Sequence, residues 1–512
     1  MEKQYDILVI GSGLGGLVSA LILAKEGLKV CVLEKNNQYG GNLQTFSRDK
    51  LIFDTGVHYL GGLSEGQNLH QYFSYLEIAD ELPLKKLDDF GYDRISLDND
   101  SQFYPHSQGY EGFVESLSEI FPEEKANIEK YCKEIQEVCA QFPRYSLFKK
   151  EKYSDEILYT NAKDFIDSIT KNEKLRAVLA GSNFLYAGIG NKTPLYVHAL
   201  TVNSYIESAY KCINGGSQIT KLLIRQLRKY NAEVFKHADV CEFLYNSENV
   251  LEGVKTQCGK EFYAKQFISN VDIRKTIELI GLEKLKKSYI NRINDLEPTV
   301  SCFSVYIILK KNVLPYFNHN FYNYSSPEKV WNASSPSKEN WPEWYMLSAT
   351  QSKINPDFAE SLTVLAYMNF DEVRHWENTK NTVAETENRG EEYEQFKQEK
   401  AKVLIQKIAE KHPNILECIE AVYTSSPLSY RDYIGCYEGG IYGYVKDSHN
   451  PLKTIFSAKT KISNLFLTGQ TVNMHGILGV TIGAFITCSE ILGTEIIDER
   501  LSQMLNKNEV EK

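Results

Sequence analysis

Gly11-Ser12-Gly13-Leu14-Gly15-Gly16 stands directly after the apolar run Tyr5 to Ile10 and directly before Leu17 to Ala24, a stretch of helical composition. Glycines at the first, third and sixth places of such a loop allow a tight turn, let a pyrophosphate approach the backbone and let a helix pack closely on a strand. The free N–H groups and partial positive charge of the helix N-terminus then attract phosphate. Glu34 follows Gly16 by eighteen residues, at the end of a second strand pattern from Lys29. A carboxylate in that place accepts hydrogen bonds from ribose hydroxyls and disfavours a 2′-phosphate. The chemistry indicated is dinucleotide binding, with FAD or NAD expected over NADP.

The elements that must position these residues are strand, glycine turn, helix and strand in about thirty residues, the βαβ unit of a dinucleotide fold. From Gln67 to Tyr210 the pattern becomes helical, as in Glu124 to Cys139, and a substrate region is expected to begin there. Asn214-Gly215-Gly216 reads as a turn before an amphipathic helix, and Glu233 to Leu244 and Val254 to Ser269 read as strands. Between Pro298 and Tyr444 an aromatic-rich section follows, with alternating strands such as Phe303 to Leu309 and a surface helix from Glu391 to Lys411 that Pro413 ends. Asn464 to Gly469 reads as a last buried strand leading into a Gly-rich helix after His475. Ile477 to Leu492 is shorter than the roughly 20 residues of a bilayer span and is interrupted by Thr481, Thr487 and Glu490, so a buried helix is expected.

With 512 residues, 42% hydrophobic and 24% charged, the chain can bury a large core divided among two or three domains. The net charge of −10 leaves no cationic surplus for phosphate neutralisation, which argues against nucleic acid as a partner. The ten cysteines are scattered without a C-x-x-C pair, so neither a metal site nor a dithiol is expected, and the spacing suits a reducing compartment. Met1-Glu2-Lys3-Gln4 enters the first strand at once and leaves no room for a cleavable signal segment. The expected location is cytoplasmic, with peripheral contact at the inner membrane face.

Further along, Gly40-Gly41-Asn42 follows the ribose acid and Lys35, and Phe53-Asp54-Thr55-Gly56-Val57-His58 follows that. The paired glycines resemble the second fingerprint of the amine oxidase and phytoene desaturase superfamily of flavoproteins, which implies FAD rather than NAD. That superfamily usually has Arg where this chain has Asn42. The Asp-x-Gly-x-His string is similar to the segment that passes the flavin ring in the carotenoid desaturase, carotenoid isomerase and retinol saturase branch, which implies that His58 lies near the isoalloxazine. The Gly215-Gly216 element and Ser269-Asn270-Val271-Asp272 resemble strings of the same branch, and Val240 matches the position that reads the adenine edge.

The most specific string is Leu465 to Ala484, with Gly469-Gln470, His475, Gly479 and Val480 inside it. Many relatives carry Asp after that glycine, and Gln470 looks more like the retinol saturase subgroup. The resemblance implies that the helix after His475 aims its N-terminus at flavin N1, where it would stabilise an anionic reduced ring. It also implies that Gly476 and Gly479 are small because the backbone must approach that ring. Glu438 to Tyr444 resembles the saturase branch as well, either as an active-site wall or as a Gly-rich turn with packing tyrosines.

The fold class expected is α/β, a Rossmann-type FAD-binding domain assembled discontinuously from 1–75, 205–285 and 455–512, with an α+β substrate-binding domain from 76–204 and 286–454. The implied cofactor contacts are Gly11, Gly13, Leu14, Gly15, Gly16, Glu34, Lys35, Gly40, Gly41, Asn42, Val240, Gly469, Gln470, Gly479 and Val480. The candidate catalytic residues are His58, Tyr442 and His475. The implied function is an FAD-dependent saturase of the all-trans-retinol 13,14-reductase kind, acting on a carbon–carbon double bond of an apolar polyene or retinoid-like substrate in a largely apolar tunnel. Carotenoid desaturation or cis–trans isomerisation is the alternative, followed by amine oxidation and by a non-catalytic FAD-binding or membrane-docking role. No second G-x-G-x-x-G follows a strand, so electrons are expected from an external donor.

Overall fold

The computed structural model describes residues 4–98, 100–147, 154–333 and 336–510. The strand Gln4–Ile10 (β1) is apolar and buried almost throughout because it runs in the middle of a sheet covered on both faces. Leu14–Lys25 (α1) crosses over to Val30–Leu33 (β2), which pairs in parallel with β1 from Ile7 opposite Val30 to Ile10 opposite Leu33. Nearly every residue of α1 is buried, since the helix is enclosed by protein on all sides.

Five later strands join this sheet. Glu233–Phe235 (β3) extends it beyond β2, while Val240–Tyr245 (β4), Leu251–Thr256 (β5) and Glu261–Ser269 (β6) form a meander on the other side of β1. Leu465–Leu467 (β7) pairs in parallel with the end of β6. Two single strands read from the sequence are therefore each divided. Residues 236–239 carry the chain from one edge of the sheet to the other, with the Ala238 N–H donating to the Glu34 carbonyl at 2.8 Å. Val254 to Ser269 is the second arm of a hairpin and part of the first, turned at Gly259, whose φ of +82° only a residue without a side chain adopts readily.

A second seven-stranded sheet is built mainly from later residues, in the order Ile419–Ser425, Ser301–Leu309, Ala359–Met368, Trp344–Gln351, Asn320–Tyr324, Asp93–Leu97, Tyr104–His106. The last two lie inside the stretch read as helical, because short strands flanked by helices leave little trace in a composition window. Ser301–Leu309 does not alternate: all nine residues are buried. One of its faces is covered by Phe46 and Phe53 against Tyr306, and the other by the helix Glu391–Lys411.

Three further helices shape the site: Leu195–Glu207 (α2), Ser217–Lys229 (α3) and Pro427–Ile434 (α4). The apolar C-terminal segment forms Gly476–Leu492 (α5), followed by Thr494–Val510 (α6). Among the described residues no helix is long and apolar enough to cross a membrane.

Candidate active site

The glycine strings, far apart in sequence, converge. Gly13 bridges Gly40, and the Gly40 N–H donates to the Ser12 carbonyl at 3.1 Å. A Cβ on Gly41 would stand 3.1 Å from Gly13 Cα, and one on Gly15 would stand 3.0 Å from Gly469 N. No side chain caps α1, whose first N–H groups therefore face this groove unspent. The buried hydroxyls of Thr220, beside Gly40, and of Thr468, before Gly469, have no protein partner. Uncapped donors, orphaned hydroxyls and a cradle that Cβ atoms would fill fit the pyrophosphate and ribityl part of a dinucleotide.

Two residues that sequence reasoning did not assign a role stand at the centre of this groove. Asn270 is 2.7–2.8 Å from where Cβ atoms on Gly13, Gly15 and Gly469 would be, and its amide donates to the Gly11 carbonyl at 3.4 Å. The Ser-Asn-Val-Asp string was the only signal for it. Ser12 donates both its N–H (3.1 Å) and its hydroxyl (2.5 Å) to Glu34 Oε2, while Oε1 accepts from the Asn36 N–H at 2.9 Å. Glu34, 5% exposed, thus tethers the glycine loop as well as offering its remaining lone pairs to a ribose. Replacing it by Ala is expected to weaken dinucleotide binding about ten- to hundredfold, as loss of charge-assisted hydrogen bonds does. Titrating apo-protein with the dinucleotide checks this, and an unchanged Kd would mean that the ribose is held elsewhere.

Other residues of the implied contact set diverge in what they touch. Lys35 Nζ donates to the Asp432 carbonyl at 3.3 Å and the Asn36 side chain to the Tyr433 carbonyl at 2.9 Å, so this turn holds α4. Leu14 is buried at the start of α1. Asn42 lies against Gly56, whose Cβ would be 3.0 Å from its carbonyl oxygen. Val240 is buried two residues beyond the Ala238 link to Glu34. Gln470 donates its side-chain amide to Cys436 Sγ at 3.4 Å. Val480 is buried on α5, and Gly479 has a reason within the protein for being small: a Cβ there would meet the Met474 side chain at 2.8 Å. Around Gly476, with φ +77°, there is open space.

Asp54 and Gly216, from separate strings, meet directly: the Gly216 N–H donates to Asp54 Oδ1 at 2.7 Å, and burial pushes that carboxyl up to about 7. His58 follows in the same segment. Burial, with help from the Lys211 ammonium, pushes its imidazole down to about 4. Tyr442 and His475 are brought together, ring centroids 4.7 Å apart. Tyr442 donates its hydroxyl to the Phe184 carbonyl at 3.0 Å, and burial raises its phenol well above the ordinary range. His475 precedes α5, is buried, and has no hydrogen-bond partner at Nε2. Burial, and then the neighbouring Lys446 charge, push it down to about 4, so it is a neutral imidazole at pH 7.

Beside His475 opens a cavity of about 540 Å³. One wall is α5, through Leu478, Ile482 and Ile486, and the facing wall is α2, through Tyr196, Leu200 and Tyr205. These residues recur at helical spacing, so each helix presents one face to the space. The volume lies within the range of sites for small organic molecules, and the lining is predominantly apolar.

Residues 9–76 match the family model of an NAD(P)-binding Rossmann-like domain. Over its length the chain is similar to the all-trans-retinol 13,14-reductase of Rattus norvegicus, 28% identical across 96% of this chain and 86% of that enzyme. It is also similar to prolycopene isomerase 1 of an Oncidium hybrid cultivar, 27% identical across 61% of this chain and 56% of that protein. Among solved structures, a triple mutant of putrescine oxidase shares the fold at a TM-score of 0.62, with 13% identity, 96% of this chain and 99% of that one covered. In sequence the chain is thus similar to retinol saturase-like and carotenoid isomerase proteins, and in fold to the oxidase.

Proposed function

We propose that the protein is an FAD-dependent oxidoreductase that saturates a carbon–carbon double bond of an apolar polyene or retinoid-like substrate. The observation that carries this reading is the apolar cavity of about 540 Å³ that reaches the N-terminus of α5 at His475 and Gly476. Gly11 to Gly16, Glu34, Gly40, Gly41, Val240 and Gly469 would hold the FAD, whose reduced ring supplies the hydride. An alkene offers no polar handle, so the walls act by shape and by excluding water, and α2 and α5 do both.

The second requirement of saturation is a proton. His475 carries no imidazolium at neutral pH, so the protonated form that a general acid needs is scarcely populated there. Its orphaned Nε2 serves better as a fixed hydrogen-bonding atom at the cavity's inner end, backed by the ring of Tyr442. With no second dinucleotide fingerprint in the sequence, reducing equivalents come from an external donor. Substrates of this class partition into lipid, and exposed Tyr159 and Leu452 lie close in sequence to the cavity-lining Leu158 and Ile455. Peripheral membrane contact follows from that, and flotation with liposomes tests it.

The deciding experiment incubates flavin-loaded protein with dithionite or NADPH and a panel of retinoids, carotenoids and unsaturated lipids, followed by mass analysis. A gain of one H2 is the expected result. Loss of H2 would mean desaturation, and unchanged mass with altered retention would mean isomerisation. Purified protein that binds NAD and no flavin after reconstitution with both would remove the reading altogether.

A further inference from the structure

The cavity has His475 at one end and charged side chains at the other, with a predominantly apolar lining between that also includes Thr201 and Ser204. It follows α5 from Gly476 to Glu490, fourteen residues, which at 1.5 Å rise per residue is a length of about 21 Å. The inner end holds His475 and Asn473. The outer end holds Arg144 and Glu490, the charged residues of its lining among those described.

These two charges are not equivalent. Glu490 is engaged by Lys459 at 2.6 Å in an ion pair whose partners are 36% and 61% exposed. Arg144 is only 14% exposed, and its guanidinium is held by the Ser489 hydroxyl at 3.0 Å and by Asp498 at 2.8 Å. Neither Ser489 nor Asp498 lines the cavity, whereas Arg144 does. The Asp498 Oδ1 that faces it is buried, so water does not screen this pair and the contact holds the guanidinium in place. The result is a guanidinium of fixed orientation on the wall of a predominantly apolar space. Little rotamer freedom is left for it to lose when a ligand arrives. A planar guanidinium in such a place matches a carboxylate better than a hydroxyl.

We propose that Arg144 anchors the carboxylate of a long-chain unsaturated acid, whose apolar chain runs inward along α5 and presents a double bond remote from the acid group at His475. This inference rests on the reading of the cavity as a polyene site and narrows its substrate to acids, entered tail first.

An eighteen-carbon conjugated tetraenoic acid, which fluoresces when it leaves water, and its methyl ester provide the probes. Titrated into flavin-loaded protein, the acid should bind about ten- to hundredfold more tightly than the ester, the value of a charge-assisted hydrogen bond. Arg144→Gln should abolish that preference by weakening the acid alone, and Arg144→Lys should restore part of it. Unaltered ester binding in both variants shows that loss of the Ser489 and Asp498 contacts has not deformed the cavity. Equal affinities for acid and ester in the unmodified protein would overturn the proposal, as would equal weakening of both by Arg144→Gln. If neither probe binds, the polyene reading falls and this one with it. If both bind equally, only the carboxylate anchor falls.

Discussion

Gly16→Ala is expected to reduce dinucleotide affinity by more than about a hundredfold and to lower the yield of folded protein. A Cβ on residue 16 would lie 2.2 Å from the Gly11 carbonyl oxygen, and it would also press on Val9 and Asn270 at 3.2 Å. The first of these contacts is with backbone, which cannot rotate away as a side chain does. Relief requires α1 to lift from β1, and the N-terminal N–H groups that face the groove move with it. Overpacking a well-filled site costs about 1–3 kcal/mol. Here the displaced parts are also the loop that Ser12 and Glu34 tie to β2, so binding suffers beyond stability. Gly112→Ala is the matched control. Its added methyl would meet nothing nearer than Ser107 Cβ at 3.7 Å inside the helix Tyr110–Ile120, and the change should be neutral or stabilising by up to about 1 kcal/mol. Affinity measured by flavin fluorescence quenching compares the two, and wild-type binding by Gly16→Ala would show that the loop is not the phosphate cradle.

Acidification is expected to destabilise the fold steeply between pH 6.5 and about 4. Five histidines are held neutral: His58, His106, His319 and His475 are pushed down to about 4 by desolvation, and His198 to about 3. His106 sits between the Val178 carbonyl (2.8 Å) and the Ser182 hydroxyl (3.1 Å), and His198 between the hydroxyls of Tyr131 (2.7 Å) and Tyr186 (2.8 Å). In the unfolded chain each takes up a proton near pH 6.5. Each group whose folded pKa is depressed in this way contributes stability that is complete above 6.5 and is lost as the pH falls toward the folded value.

Two carboxyls act in the opposite sense. Asp54 and Asp93 are pushed up to about 7 by burial, so the folded state holds their protons while the unfolded chain releases them above about 4. Their effect is that stability rises as the pH falls through the same window. Five imidazoles against two carboxyls leave a net uptake of about three protons on unfolding, a slope of roughly 4 kcal/mol per pH unit. Urea unfolding at pH 6.5, 5.5 and 4.5, with dinucleotide content held constant, measures it. A free energy that is flat or rising toward pH 4.5 would mean that these histidines are protonated in the folded protein.

The unit from Tyr5 to Glu34 was legible in the sequence because everything it needs is local. An apolar strand, a turn of glycines, a helix and a returning strand report themselves within one window, and the acid stands at a spacing that the helix length dictates. The largely enclosed helix from Gly476 was legible for the same reason, as an apolar run too short to span a bilayer. The strings around Gly40, Asp54, Gly215 and Gly469 were each visible, but nothing local in them says that they touch.

Tertiary structure alone decided that Gly13 would face Gly40, that Gly15 would stand against Gly469 and that Gly216 would donate to Asp54. It also decided that Asn270 would fill the centre of the groove, that Gly479 would be small because of Met474, and that one strand pattern would break to reach opposite edges of a sheet. The protonation of His475 and the placement of Arg144 on an apolar wall belong to the same class. Dielectric surroundings and wall chemistry are set by residues hundreds of positions away, and a residue's type carries no record of what will enclose it.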